Sequence, residues 1–483
     1  MKRILLALTL ALALCFSMVP GAANASAYTT TFSVAITYQN VGTATATINF
    51  SFFQENSGTA ITIPGASLAA GASTSLSVGT AISSGSFKGS AVLSSDQPVI
   101  ATIVQLDPGG TVKVRPLSNG FGSADGASTQ LVATVLKNQF NSTTVFSVQN
   151  TESAAINVTA KFYAVGQTTP TATVSANNLP AGAAKYFDAG TIGGLPNGFN
   201  GSAVVTAKLA SDNTTAAKIV VTANELGTAG NDAKSFEGTA LSGAKVYMPS
   251  ALCNAFGGQT TAYAVQNADQ ANSVTFQVRY KQTNQADLID GPYSIGAGGK
   301  QSISGCTKLP AGSNASAVIE RTGGSGTLVA VGKVTGANIT SAFLGTVEGQ
   351  GSAKVALPYV RWASVNLINT QQRASIAIQN IGTTTATNVK VQYIDKDGVV
   401  KGTHNLGLIG VGDKKGSNAE LAGALDSCGR FGMYGSDCNA TPLSFGGGAI
   451  VTADSGAQLA VVVRIFTGQP VSAGEDYNGI NIQ

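Results

Sequence analysis

Few residues in this chain could do bond-breaking chemistry, and they are scattered. His404 is the single histidine among 483 residues, so a hydrolytic scheme needing an imidazole base must be built on it. It stands in Lys401-Gly-Thr-His404 with no Gly-x-Ser-x-Gly elbow anywhere, and reads as a surface histidine on a strand. Asp395 and Asp397, in the turn Asp395-Lys-Asp-Gly398, are the candidate calcium ligands. The following Val399-Val-Lys-Gly-Thr-His404 lacks the further oxygens and the closing Glu of a calcium loop, and Asp-Gly is also a favoured hairpin tip. Gly407-Leu-Ile-Gly-Val-Gly412 lacks the order of a dinucleotide loop and reads as a glycine-rich turn. Trp362 is the one tryptophan; it and Tyr359 are the candidate stacking faces for a glycan, against packing onto a linker as the competing use. The expectation is a protein that is not an enzyme and takes no cofactor.

The cysteines speak to compartment. Met1-Lys2-Arg3 is a positive start, Ile4 to Val19 an apolar run, and Ala23-Asn24-Ala25 a small-x-small cleavage pattern, so residues 1–25 read as a secretory signal peptide. The apolar run is too short, and meets Pro20-Gly21 too soon, for a membrane anchor. Lipid attachment at Cys15 is disfavoured by the bulky Leu14 before it. Four cysteines remain, Cys253, Cys306, Cys428 and Cys438, an even number in an exported chain. Pairing Cys253 with Cys306 and Cys428 with Cys438 needs no long-range link, whereas zinc would want a C-x-x-C pair or more histidine.

Composition narrows the partners. Charged residues are 11% of the chain and the formal net charge is +4, which falls to +2 once Lys2 and Arg3 leave with the leader. A near-neutral surface excludes nucleic acid and anionic lipid, which need a basic stripe. No later segment is apolar enough to span a bilayer as a helix. The expected location is extracellular or cell-surface, and the expected partners are extracellular proteins or glycans.

The elements that must position these residues come in four copies. A strand-like run ends in Gln-Asn at Asn40, Asn150, Asn267 and Asn380, at nearly even intervals. A second mark follows at Gly89-Ser-Ala-Val92, Gly201-Ser-Ala-Val204, Ala315-Ser-Ala-Val318 and, delayed by an insertion carrying Cys428 and Cys438, Gly448-Ala-Ile450. A period near 110 is one complete sandwich, too long for a solenoid unit. Apolar side chains alternate, as in Ile156, Val158, Ala160 and Phe162, or Val274, Phe276, Val278 and Tyr280, with Pro-Gly and Asn-Gly breakers between the runs. The fold class is therefore all-β: four tandem immunoglobulin-like antiparallel β-sandwich domains after a cleaved signal peptide, at 26–118, 127–226, 243–346 and 353–483, joined like beads by short polar linkers. The asparagines read as strand-end turn residues rather than a ladder of ligand-binding amides. Repeat one lacks the opening strand that the lead-ins Lys245-Val-Tyr-Met-Pro249 and Lys354-Val-Ala-Leu-Pro358 supply elsewhere.

With Leu357-Pro358, Val148-Gln149-Asn150 and Gly201-Ser-Ala-Val-Val205 assembled, the chain resembles the tandem immunoglobulin-like sandwiches of bacterial secreted and cell-surface proteins, and among them uncharacterised exported repeats. The resemblance covers the chain beyond the leader. It implies a non-enzymatic structural or adhesive role in a surface layer, stalk or filament; a carbohydrate-binding array is the alternative and a secreted hydrolase the remote one. Tyr477 to Gln483 is expected to pair within repeat four. Its rival use, self-association by completing the open first sheet of another copy, would propagate a fibre.

Overall fold

The computed structural model describes residues 31–82, 85–107, 115–227, 233–283, 285–336, 339–363, 371–425, 444–468 and 473–482. The leader, Cys428 and Cys438 lie outside the described residues. Repeat one contributes β1 (Ser33–Asn40), β2 (Ile48–Gln54), β3 (Ala60–Pro64), β4 (Ser73–Ser77), β5 (Gly89–Ser95), β6 (Val99–Leu106) and β7 (Leu117–Asn119). Repeat two contributes β8 (Thr129–Lys137), β9 (Ser142–Asn150), β10 (Ile156–Ala164), β11 (Ala172–Leu179), β12 (Ala184–Asp188), β13 (Phe199–Leu209), β14 (Ile219–Gly227) and β15 (Ala233–Glu237).

Repeat three contributes β16 (Lys245–Cys253), β17 (Thr260–Asn267), β18 (Val274–Lys281), β19 (Leu288–Ile295), β20 (Lys300–Ser304), β21 (Ser313–Gly324), β22 (Leu328–Gly336), β23 (Ile339–Leu344) and the short β24 (Thr346–Val347). Repeat four contributes β25 (Lys354–Ala363), β26 (Gln371–Asn380), β27 (Ala386–Asp395), β28 (Val400–Ile409), β29 (Lys414–Ser417), β30 (Phe445–Thr452), β31 (Leu459–Gly468), β32 (Ala473–Asn478) and β33 (Ile480–Asn481).

The pairing is antiparallel throughout, and each repeat stacks two sheets. Repeat two is the template, with β11-β10-β13-β8 facing β12-β9-β14-β15. Repeat three copies it as β19-β18-β21-β16-β24 and β20-β17-β22-β23. In repeat four the same two orders are joined into one sheet where β25 pairs β26. Repeat one has β4-β1-β6-β7 but only β3-β2-β5, so the opening strand is missing among the described residues, as expected.

Alternation builds the sandwiches. Ile156, Val158, Ala160 and Phe162 of β10 are each 0% exposed while Asn157, Thr159 and Lys161 between them are not buried. The lead-in prolines have a structural reason: in β16 and β25 the pairing to β21 and β30 jumps between Met248 and Ala251 and between Leu357 and Val360, so Pro249 and Pro358 fall in bulges, where a missing N–H is harmless. Cys253 closes β16 and Cys306 sits in the turn after β20; their disulfide, with Cα atoms 4.9 Å apart, ties the two sheets of repeat three.

The four asparagines are turn residues of a demanding kind. Asn150 is fully buried; its Oδ1 accepts from Glu152 N at 2.8 Å, and its Nδ2 donates to Ala154 O at 2.8 Å and Leu179 O at 3.0 Å. Asn40, Asn267 and Asn380 repeat the pattern. Each amide thus locks the end of one strand, the following turn and the far end of another sheet. None of the four has positive φ, so the side-chain bond and not left-handed tolerance selects Asn.

The extended string of beads does not form. The core of repeat two includes Val329, Val331 and Ala342 of repeat three, the core of repeat four includes Val104 and Leu117 of repeat one, and Val462 of repeat four joins repeat three. Tyr247 and Val318 meet Ile381 and Ala460 across another apolar seam. Replacing Asn150 with Ala is expected to destabilise the protein by about 2–4 kcal/mol, because two buried carbonyls and an amide lose their partner together; the denaturant midpoint measures it.

Candidate functional site

The two sequence marks meet one another. Gln149, at the end of β9, donates from Nε2 to Ala91 O in β5 of the preceding repeat at 3.4 Å and to Gly182 O at 3.1 Å. Ser90, next to Ala91, donates to the same Gly182 carbonyl at 2.7 Å. The geometry recurs one repeat later, with Gln266 on Ala203 O at 3.2 Å and Ser202 on Gly298 O at 3.0 Å. It recurs again with Gln379 on Ala317 O at 3.4 Å and on Gly412 O at 3.1 Å, and Ser316 on Gly412 O at 2.9 Å.

The same contact closes repeat four onto repeat one. Gln39 donates to Gly71 O at 3.1 Å, and its amide stands against Gly448, where an added Cβ would lie 2.8 Å from Gln39 Oε1. Gly448 occupies the place of Ser90, Ser202 and Ser316, so this seam has traded the hydroxyl for room. Beside it, Ser73 N donates to Lys396 O at 3.1 Å, and a Cβ at Gly398 would meet Ala70 O at 2.5 Å. Repeats one to four therefore form a closed cycle, with each repeat touching two neighbours.

A third mark, missed in the sequence reading, completes each seam. Gly71, Gly182, Gly298 and Gly412 follow the four asparagines at a near-constant interval, and all have left-handed φ, between 67° and 77°. The regular interval was the available signal. It was hidden because Leu179-Pro-Ala-Gly182 and Gly407-Leu-Ile-Gly-Val-Gly412 look like ordinary turns.

Around the middle of the cycle the last full strand of each repeat, β7, β15, β23 and β32, packs against its fellows. Asn119 Nδ2 donates to Asn478 O at 2.7 Å, and Asn478 exchanges two hydrogen bonds with the backbone of Leu344. Charges are buried here in pairs. Glu225 of repeat two meets Lys333 of repeat three at 2.6 Å and Lys234 at 3.7 Å; burial alone would raise its pKa, but the ammonium groups outweigh that and hold it below the ordinary carboxylate range. Glu475 of repeat four pairs with Arg115 of repeat one, yet burial dominates and pushes its carboxyl up to about 7.

The individual candidates fall into this frame. Asp395 Oδ1 accepts from the turn amides of Asp397 and Val399 at 3.0 and 2.9 Å, and Asp397 pairs with Lys396 at 2.6 Å. Their turn caps a hairpin at the repeat four–one seam, and no group of three or more metal-ligating side chains occurs among the described residues. Trp362 and Tyr359 do not offer a glycan platform: they are 8% and 3% exposed, with Arg373 and Arg361 stacked on their rings at 4.3 and 4.5 Å. The tryptophan packs at the seam-facing strand rather than on a linker surface. His404 Nδ1 lies 3.0 Å from Ser417 Oγ on a neighbouring strand. The tail is used inside repeat four, where β32 pairs β31, β33 pairs β25 and Tyr477 donates to Tyr359 O at 2.6 Å.

Against known proteins, no family model matches the chain and no curated protein is similar to it.

Two outcomes test the seams. Gly448→Ser forces a side chain onto Gln39 and is expected to loosen the repeat four–one contact, costing about 1–3 kcal/mol, whereas Ser316→Ala removes one hydrogen bond for about 1 kcal/mol; hydrogen exchange at Ser73 separates a local opening from global loss. Glu475 has a folded pKa of about 7 against an ordinary 4.5, so its contribution is present below pH 4.5 and is lost as pH rises through 7. Wild-type stability should fall across that window by about 2 kcal/mol more than that of Glu475→Gln, read as the slope of the melting midpoint against pH.

Proposed function

We propose that this is a non-enzymatic extracellular structural or adhesive protein, exported through its N-terminal leader and related in plan to the tandem immunoglobulin-like proteins of bacterial surfaces. The observation that carries the reading is the use to which its repeated polar residues are put: Gln149, Ser202, Gln379 and their equivalents hold one repeat to the next through backbone carbonyls. Such a block presents its outer strands as the working surface. Strand β11 alternates half-buried and exposed residues along its rim, and few charges interrupt the Thr, Ser and Asn exterior.

The Cys253–Cys306 bridge supports an oxidising location, since such bonds persist outside the cytosol. No helix among the described residues is long and apolar enough to cross a membrane. The partners proposed are extracellular proteins or glycans that meet the rim strands. Fractionation of the producing cell, with protease shaving of intact cells, tests the location; recovery in the medium or surface fraction is expected, and retention in the cytosol overturns it. Turnover by the purified protein on polysaccharide and peptide panels would overturn the non-enzymatic reading.

A further inference from the structure

Among the described residues one strand position in the cycle is open. In repeats two, three and four the strands β13, β21 and β30 are paired on both sides, by β10 and β8, by β18 and β16, and by β27 and β25. Among the described strands their counterpart β5 pairs β2 alone. Val92 of β5 is consequently 42% exposed where Val204 and Val318 are 2% and 5%, and Ala91 and Leu93 are only half-buried where Ala203 and Val205 are 0% exposed.

Beside β5 lies a cavity of about 1900 Å³, lined on one side by Phe52, Leu93 and Ile103 of repeat one and on the other by Val145, Val220 and Thr222 of repeat two. The other three repeats say what belongs there. Strand β8 packs on β17 and β22 of the next repeat, β16 on β26 and β31, and β25 on β1 and β6. The equivalent position for repeat one is bounded by β5 and by β9 and β14, and β9 and β14 carry Val145, Val220 and Thr222. The open place therefore has the edge, the apolar floor and the roof of a strand seat.

Counting locates its occupant. The opening strands end four, six and seven residues before the next strand, across 138–141, 254–259 and 364–370. Measured back from Ser33, the corresponding strand ends between residues 25 and 28 and, at nine or ten residues long, starts between 16 and 20. The sequence there is Phe16-Ser-Met-Val-Pro-Gly-Ala-Ala-Asn24-Ala-Ser-Ala-Tyr28. Pro20 stands before Asn40 at an interval that falls between those of the bulge prolines, Pro249 before Asn267 and Pro358 before Asn380.

We propose that the seat beside β5 belongs to residues 17–28 of this same chain, running antiparallel to β5 with Val19 opposite Ala91, as Met248 and Leu357 stand opposite Ala317 and Ala449. The end of the export leader is thus also the first strand of the fold. Cleavage after Ala25 severs that strand, and the remaining Ser26 to Phe32 is too short to provide both a strand and its turn. Processing at that bond converts a completed sandwich into one with an open edge. This goes beyond the structural or adhesive reading and rests on that reading only for the export leader and its cleavage.

The test compares two forms of the protein, residues 16–483 and 26–483, with a synthetic peptide of residues 16–28. The short form is expected to melt lower, to bind the peptide at least tenfold more tightly than a scrambled peptide, and to recover the melting temperature of the long form when saturated; the long form binds none. A Val19→Cys peptide should form a disulfide with Ala91→Cys protein and not with Thr173→Cys on the outer edge of β11. Equal melting of the two forms with no peptide binding overturns the proposal, as does equal crosslinking at both positions. If a peptide of residues 129–137 binds as tightly as 16–28, or if the short form polymerises unaided, the assignment to residues 17–28 is overturned in favour of a partner's strand or a second copy's.

Discussion

The structure depends on a backbone carbonyl that cannot be left alone. Gly182 O, and its equivalents at Gly71, Gly298 and Gly412, points from a left-handed turn into a seam between two sandwiches, half-buried at Gly71 and Gly182 and buried at Gly298 and Gly412. A buried carbonyl without a donor is costly, and each one here is met by a glutamine amide from its own repeat, a serine hydroxyl from the preceding repeat, or both. Because the donors come from two repeats, satisfying the carbonyl also fixes how those repeats dock. The neighbouring asparagine performs the same service within a repeat, so the Gln-Asn pair joins inside to outside at one point of the chain.

That arrangement explains which parts were legible beforehand. Strands such as β10 and β18 announce themselves because one face is apolar and the other wet, and their alternation survives in the structure. Strands β8, β9 and β16 are buried on both faces, and their Thr134, Gln130 and Thr144 look like solvent-side residues until a second repeat covers them. A glutamine facing water and a glutamine facing a neighbour's backbone are the same letter. The repeat period was visible, and so was the missing first strand. The docking of one repeat on another was not, because it rests on pairs far apart in the chain, such as Gln149 with Ala91, that no local pattern links.

The candidate site residues show the same division. Cys253 and Cys306 were legible because oxidation state and spacing suffice to pair them. Packing was one of the two uses open to Trp362, and the structure buries it in the core of repeat four; what a linear reading does not suggest is the stacking of Arg373, on the next strand, over its ring. The Asp395 turn was readable as a hairpin tip, yet its role in meeting repeat one through Lys396 O and Gly398 depends on the cycle being closed.

Closure itself has a consequence for how such a protein can change. Open arrays gain and lose units freely, provided end caps shield the terminal faces. Here the fourth unit is the first one's neighbour, so no face is terminal, and an inserted fifth copy would have nowhere to dock without prising Gly448 from Gln39. Copy number is consequently an outcome of the angle between adjacent units, and variation must be confined to the outward loops.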